Sequence, residues 1–117
     1  MKIETWVPHH IQFSRLGYHR WSVARLIELS RDLPVLTIPL NHLCVNYTYD
    51  NLRLRDFVSH MKAVNDADLT FPIILDEDGD IMDGRHRVMK AMLLGEESIL
   101  AVRFDKNPSP CKIDDEK

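Results

Sequence analysis

Nine consecutive residues concentrate the chemistry this sequence could do: Asp80-Ile81-Met82-Asp83-Gly84-Arg85-His86-Arg87-Val88. A strand end, a carboxylate and a glycine lead into three cationic or titratable residues at the mouth of a helical pattern. The first N–H groups of a helix have no intrahelical partner and carry the positive end of the macrodipole, so a phosphate finds donors there before any side chain is counted. Gly84 would let a ligand approach closely, Arg85 and Arg87 could fork onto phosphate oxygens, and His86 could donate to phosphate or carry a proton near neutral pH. Two arginines in the first turn oppose the dipole, a small cost that a bound anion removes. The residues fit a plainer reading equally well, in which Asp83 and the acidic turn at 76–80 neutralise the arginines on a solvated surface.

Phosphoryl transfer needs more: cradled phosphates, charge neutralised by arginine or a metal, and an acceptor held in line. Asp83 is the nearest carboxylate for Mg²⁺, and Asp50 is a second candidate as base or ligand. Both aspartates also suit a helix N-cap, the commoner role. Arg53 and Arg55 open the second predicted helix, and Trp6, Tyr47 and Tyr49 offer rings for stacking on a base, although such residues are more often surface cations and packing anchors.

The elements that must position these groups are read from periodicity. Trp21, Ala24 and Ile27, with Val23, Leu26 and Leu29 beside them, predict a helix from Trp21 to Leu33 stopped by Pro34. Val35 to Leu40 reads as a strand with Pro39 at an edge. Asp50-Asn51 would cap a second helix from about Leu52 to Asn65, with Leu54, Phe57, Val58, Met61 and Val64 on one face. Phe71 to Leu75, the turn Asp76-Glu77-Asp78-Gly79 and Asp80 to Met82 form a hairpin, with Gly79 where positive φ is tolerated. Asp83 as N-cap opens a third helix in which Val88, Ala91, Met92 and Leu93 are buried or half buried, Gly95 ends it, and Ile99 to Phe104 is the fourth strand. The first fifteen residues have no clear period and are expected to be irregular but partly docked.

A chain of 117 residues, 44% hydrophobic and 28% charged, has the size and usage of one globular domain. No apolar run approaches the roughly 20 residues of a membrane span, and the start MKIETWVPHH lacks a signal-peptide core, so a cytoplasmic protein without a membrane partner is expected. The net charge of −3 argues against an autonomous grip on nucleic acid. Cys44 and Cys111 have no metal or redox spacing and read as a buried small side chain and a tail thiol. Six histidines contain no i, i+4 pair, and adjacent His9 and His10 point apart, which argues against a metal clamp.

The stretch FPIILDEDGDIMDGRHRVMKAMLLGEESILAVRF resembles the ParB/sulfiredoxin superfamily, whose core is a helix, a strand carrying Pro-Ile, a hairpin, a G-x-H-R-type loop opening a helix, and a closing strand. Pro72-Ile73, Asp83-Gly84, His86-Arg87 and Gly95 stand where that pattern places them, and the resemblance covers residues 38–104. It implies that nucleotide phosphates bind at this loop, with the role falling on Gly84, His86 and Arg87. Sulfiredoxins carry a nucleophilic cysteine immediately before the His-Arg; Arg85 stands there, so sulfinic-acid repair is not expected. The branch that includes ADP-dependent free-serine kinases has Asp-Gly-His-His-Arg, which 83–87 matches except at Arg85, but the glutamate those kinases use before the second helix is absent, with Asp50 near its place. Partition proteins of the ParB branch bind CTP through a related arginine-rich box and continue into a helical DNA-binding domain, which is not expected here.

The resulting expectation is an α/β (α+β) domain, a small mixed sheet with three main helices of ParB/sulfiredoxin type. Residues 1–37 form an N-terminal extension with one helix packed on the core, 38–104 the core, and 105–117 a loosely held tail. The expected function is binding of a nucleoside di- or triphosphate (ATP, ADP or CTP) with Mg²⁺. Gly84, Arg85, His86 and Arg87 would hold phosphates, Asp83 the metal, and Asp83, Asp50 and His86 are the catalytic candidates for phosphoryl transfer or nucleotide hydrolysis. The alternatives are a non-catalytic module for nucleic acid or for a protein partner met through the N-terminal extension, and a ParB-like nuclease.

Overall fold

Three successive side chains, Ile73, Ile74 and Leu75, are all buried, at 0%, 4% and 2% exposure. Neighbouring side chains on a strand point to opposite faces, so a strand buried throughout must be covered on both sides. The computed structural model, which describes residues 2–3, 13–16, 19–45, 51–110 and 112–113, supplies both covers. Strand β4 (Ile73–Leu75) lies within a four-stranded sheet ordered β3 (Leu36–Pro39), β6 (Ser98–Arg103), β4, β5 (Ile81–Asp83). β4 runs parallel to β6 and antiparallel to β5, and β3 pairs antiparallel with β6, so the sheet is mixed and the domain α+β.

One face of the sheet packs Ile73, Leu75, Ile81, Ile99 and Ala101 against Val88 and Ala91 of helix α3 (Arg85–Leu94). The other packs Ile74, Met82, Val102 and Phe104 against Trp21 and against Leu26 of helix α1 (Val23–Ser30). Helix α2 (Leu54–Asp66) lies beside α3. A second sheet, β1 (Phe13–Leu16), β2 (His19–Ser22) and β7 (Lys112–Ile113), joins the two ends of the described chain, all its pairs antiparallel.

The hairpin, the edge position of Pro39 opposite Ser98, and the Gly95 stop agree with the sequence pattern. The acidic turn is more than a solvated tip. Asp76 is buried, its Oδ1 accepts the N–H of Asp78 at 2.9 Å and of Asp80 at 2.8 Å, and Gly79 takes a φ of 86° to close the turn. A carboxylate organising its own turn in this way fixes where β5 begins, and hence where Asp83 and Gly84 emerge.

Several expectations are corrected. Trp21 and Ser22 belong to β2, so the first helix starts at Val23 and ends at Ser30. Ala24 and Ile27 face outward while Val23 and Leu26 are buried; Trp21 joins their core from a strand rather than from a helical turn. Helix α2 begins at Leu54 after Arg53, and Asn51, at a φ of 59°, is not its cap. Of its apolar face only Val64 is buried, while Leu54, Phe57 and Met61 are 81%, 53% and 54% exposed. Met92 and Leu93 are likewise exposed, because only one side of α3 meets the sheet. Cys44 is exposed rather than buried, and Cys111 lies outside the described residues.

The segment after β6 is tied down rather than loose. Trp21 Nε1 donates to the carbonyl of Pro108 at 2.9 Å, Arg25 donates to that of Ser109, and Asn107 Oδ1 accepts the N–H of Glu77 at 2.8 Å. The indole N–H of buried Trp21 is a donor that burial would otherwise leave unsatisfied. Deleting residues 107–117 is expected to lower stability by about 2 kcal/mol or more, read from the urea midpoint. A midpoint unchanged by the deletion would show that this segment holds nothing.

Candidate functional site

The geometry of the site starts from one backbone angle. Strand β5 ends at Asp83, whose partner across the hairpin is Ile74, and Gly84 follows with φ 109° and ψ 23° as the N-cap of α3. That conformation is costly for any side chain, and here space forbids one as well. A Cβ on Gly84 would lie 2.5 Å from Cγ2 and 2.9 Å from Cβ of Ile73, a fully buried residue. The bare glycine lets the chain turn from sheet to helix against the core within one residue. Because Gly84 has no side chain, no side-chain hydrogen bond caps α3, and its first turn holds no acidic residue.

Asp83 is therefore not the N-cap that its position suggests. It is still in the strand, and its Oδ2 accepts from Nη2 of Arg87 at 2.8 Å. The same guanidinium donates through Nη1 to the carbonyls of Pro72 at 2.9 Å and Phe71 at 3.2 Å. Arg87 thus buckles the start of β4 and the end of β5 to the first turn of α3. The side chains of the pair are only 18% and 15% exposed, so the pair has lost much of its solvent and draws on these bonds instead. Its fork faces the protein rather than an incoming phosphate.

His86, half buried in the first turn, reaches the other way. Its Nε2 lies 2.8 Å from Nδ1 of His60 on α2, with ring centroids 5.1 Å apart. Two turns of α3 therefore hold α2 at two points, since Lys90 Nζ donates to the carbonyls of Asn65 at 2.8 Å and Ala67 at 2.7 Å, the end of α2 where orphan carbonyls need donors. Burial lowers the pKa of both histidines. Asp56 opposes that shift at His60; at His86 the neighbouring His60 and Arg85 reinforce it and Asp83 opposes it.

Between α2 and α3 opens a cleft of about 860 Å³, walled by Leu54, Phe57, Met61, Val64, Met89 and Leu93 with His60 among them. The apolar stripe of α2 lines this cleft instead of a core. The pairing of His60 with His86 went unnoticed in the sequence. A signal for it exists: His60 falls three residues after Phe57 and four before Val64, on the stripe that faces α3.

Of the candidate residues, Asp83, Gly84, Arg85, His86 and Arg87 come together at the start of α3, with Arg85 exposed. Asp50, Tyr47, Tyr49, Trp6, His9 and His10 lie outside the described residues. Arg53 and Arg55 are exposed at the start of α2. Among the described residues no three or more His, Cys, Asp or Glu side chains gather to hold a metal, and Asp83, the carboxylate expected for Mg²⁺, is paired with Arg87. No helix of the described residues is long and apolar enough to cross a membrane. Compared with protein-family models and with curated proteins, the chain matches none.

Replacing Gly84 by alanine is expected to destabilise the fold by about 2–4 kcal/mol, the combined cost of a left-handed Cβ and a clash with an immovable neighbour. Urea unfolding checks this; a loss below about 1 kcal/mol would mean that the turn can relax.

The lowered histidines also set a direction for pH. An unfolded chain binds its histidine protons near the ordinary value of about 6.5, whereas the folded chain resists them, so the unfolded state gains protons first as pH falls. Stability should therefore decline as pH drops below about 6.5, levelling once the folded pair also charges. His86→Gln should flatten that decline, and an equal slope in both proteins would remove the pair from the account.

Proposed function

We infer that this chain is an anion-binding domain that takes a nucleoside di- or triphosphate by its phosphates at the start of α3, in the manner the ParB/sulfiredoxin resemblance implies. The observation that carries the reading is the Gly84 turn: it delivers α3 out of the sheet with no capping side chain and no acid in its first turn, while Arg85 and His86 flank the opening. Backbone donors, the helix dipole and Arg85 all favour negative charge at that point. Gly84 gives the approach, His86 and Arg85 give side-chain donors, and Arg87 holds the loop in shape rather than gripping the phosphate. The reading is of binding. No catalytic step is assigned to Asp83, which is paired with Arg87, and none is routed through Mg²⁺.

A second reading, a non-catalytic module that engages a protein partner, is favoured by the exposed Leu54, Phe57 and Met61 along the cleft. One experiment separates the two. Calorimetric titration with ATP, ADP and CTP, each with and without Mg²⁺, should give micromolar binding by at least one nucleotide, weakened about tenfold in Arg85→Ala and in His86→Ala, the loss of one charge-assisted hydrogen bond each. No heat from any nucleotide would overturn the anion site and leave the partner module standing.

A further inference from the structure

The four-stranded sheet has two edges, and they differ. β5, at one edge, is buried at Ile81 and Met82 and lies against β1. β3, at the other, pairs with β6, and among the described residues no second strand pairs with it. Leu36, Thr37 and Pro39 are exposed, as is Val35 just before the strand. An uncovered edge is a template for another strand, and folded chains commonly guard one with charge. Here no Lys, Arg, Asp or Glu occurs from Leu33 to Leu43.

The register of β3 decides which of its backbone groups are committed. Leu40 donates its N–H to the carbonyl of Glu97 at 2.9 Å, continuing the ladder in which Ile38 faces Ile99 and Leu36 faces Ala101. Directly opposed residues of an antiparallel pair alternate between exchanging both hydrogen bonds and exchanging none. Leu36, Ile38 and Leu40 therefore bond to β6, and Thr37 and Pro39 turn their backbone groups outward. Proline suits that position, because the N–H it lacks would point away from β6. The outer edge thus offers the N–H and C=O of Thr37 and the C=O of Pro39. By the same alternation it offers those of Val35.

We propose that β3 is a homodimerisation edge, to which a second copy of this chain adds its own β3 antiparallel, with Thr37 facing its counterpart across a two-fold axis. The strand is complementary to itself in that register. The two Thr37 residues exchange both backbone bonds, and each Val35 N–H meets the Pro39 carbonyl of the other copy. A pairing centred on Ile38 would set Thr37 opposite Pro39 and forfeit a bond on each side; one centred on Leu36 would draw every bond through Val35, which lies outside the strand. The side chains agree with the backbone. Exposed Leu36 comes to lie beside Ile38 of the second copy, on the face where Ile38 already packs against the cluster below α3. On the other face Val35 meets Pro39 of the second copy, and exposed Ile27 and Leu29 stand on the helix packed on that side. The Gly84 turn follows β5 at the opposite edge, so the dimer contact is independent of what binds there.

Sedimentation equilibrium of the full chain tests this, together with amide hydrogen exchange by NMR at about 20 µM and about 1 mM. A contact this short should give a dimer with a Kd of about 10–100 µM. The Thr37 amide should exchange at least about threefold more slowly at the higher concentration, while that of Ile38, bonded to β6, is slow at both. Thr37→Lys sets like charges opposite each other at the axis without touching the β3–β6 bonds. It should weaken the dimer at least about tenfold and leave the urea midpoint of the dilute protein unchanged, whereas Thr37→Val should still dimerise. A chain that stays monomeric to about 1 mM would overturn the proposal. So would a dimer in which Thr37 exchange ignores concentration or which Thr37→Lys leaves intact, since the contact would then lie on another face.

Discussion

Everything at the start of α3 depends on the absence of one carbon atom. Gly84 turns the chain from strand to helix while pressed against Ile73, and Ile73 is fully buried at the centre of the sheet. The distance that a Cβ would leave, 2.5 Å, is too short for the neighbour to give, because Ile73 is hemmed in by the apolar cluster below α3. The packing of the sheet and the direction of the helix are therefore one constraint. On the proposed reading, a ligand approaching the first N–H groups of α3 would meet a loop that the core has already shaped, so little ordering would remain to oppose binding.

From that fixed point the next residues of α3 distribute the rest of the structure. Arg87 fastens β4 and β5, His86 reaches α2, and Lys90 closes the far end of α2. These ties matter because α2 has little else to hold it: Val64 is its only buried residue, and most of its apolar stripe borders an open cleft. Burying a leucine or phenylalanine contributes about 1.5–3 kcal/mol, which Leu54 and Phe57 largely forgo. Helix α2 is thus held by polar contacts whose strength depends on protonation and solvent, whereas α1 and α3 are held by apolar area. Local opening, where it occurs, should begin at α2.

How much of this was legible follows from what each pattern measures. The hairpin, Gly79, Gly95 and the edge proline were readable because turn chemistry is local: the residue types that permit positive φ or forbid a ladder bond act within two or three positions. Apolar periodicity located α2 and left its burial open, since spacing shows that residues share a face and not what the face meets. The cap of α3 was misplaced by one residue for a related reason. Asp83 has the right type for a cap, but β5 continues through it and Arg87 claims its carboxylate from four residues on. The β2–β7 pairing was invisible because it joins the beginning of the described chain to its end and no local pattern carries that information, whereas β1 and β2 are neighbours in sequence and were missed because the apolar residues there show no clear period. Long-range pairing also joins His60 to His86, across 26 positions.

The residues of the loop separate into those the fold needs and those it does not. Gly84 has a complete structural explanation in its φ and its contact with Ile73, and Arg87 has one in three bonds to the backbone and to Asp83. Both are explained by the architecture they fix, whatever is bound at the helix end. Arg85 is different: it is exposed and adds positive charge to a helix end that disfavours it. His86 is different too, since a half-buried imidazole against a second imidazole is a costly way to join two helices that leucines could join more cheaply. On the proposed reading, the Gly84 turn opens the helix end, Arg87 fixes its shape, and Arg85 and His86 are the side chains that would meet an anion there.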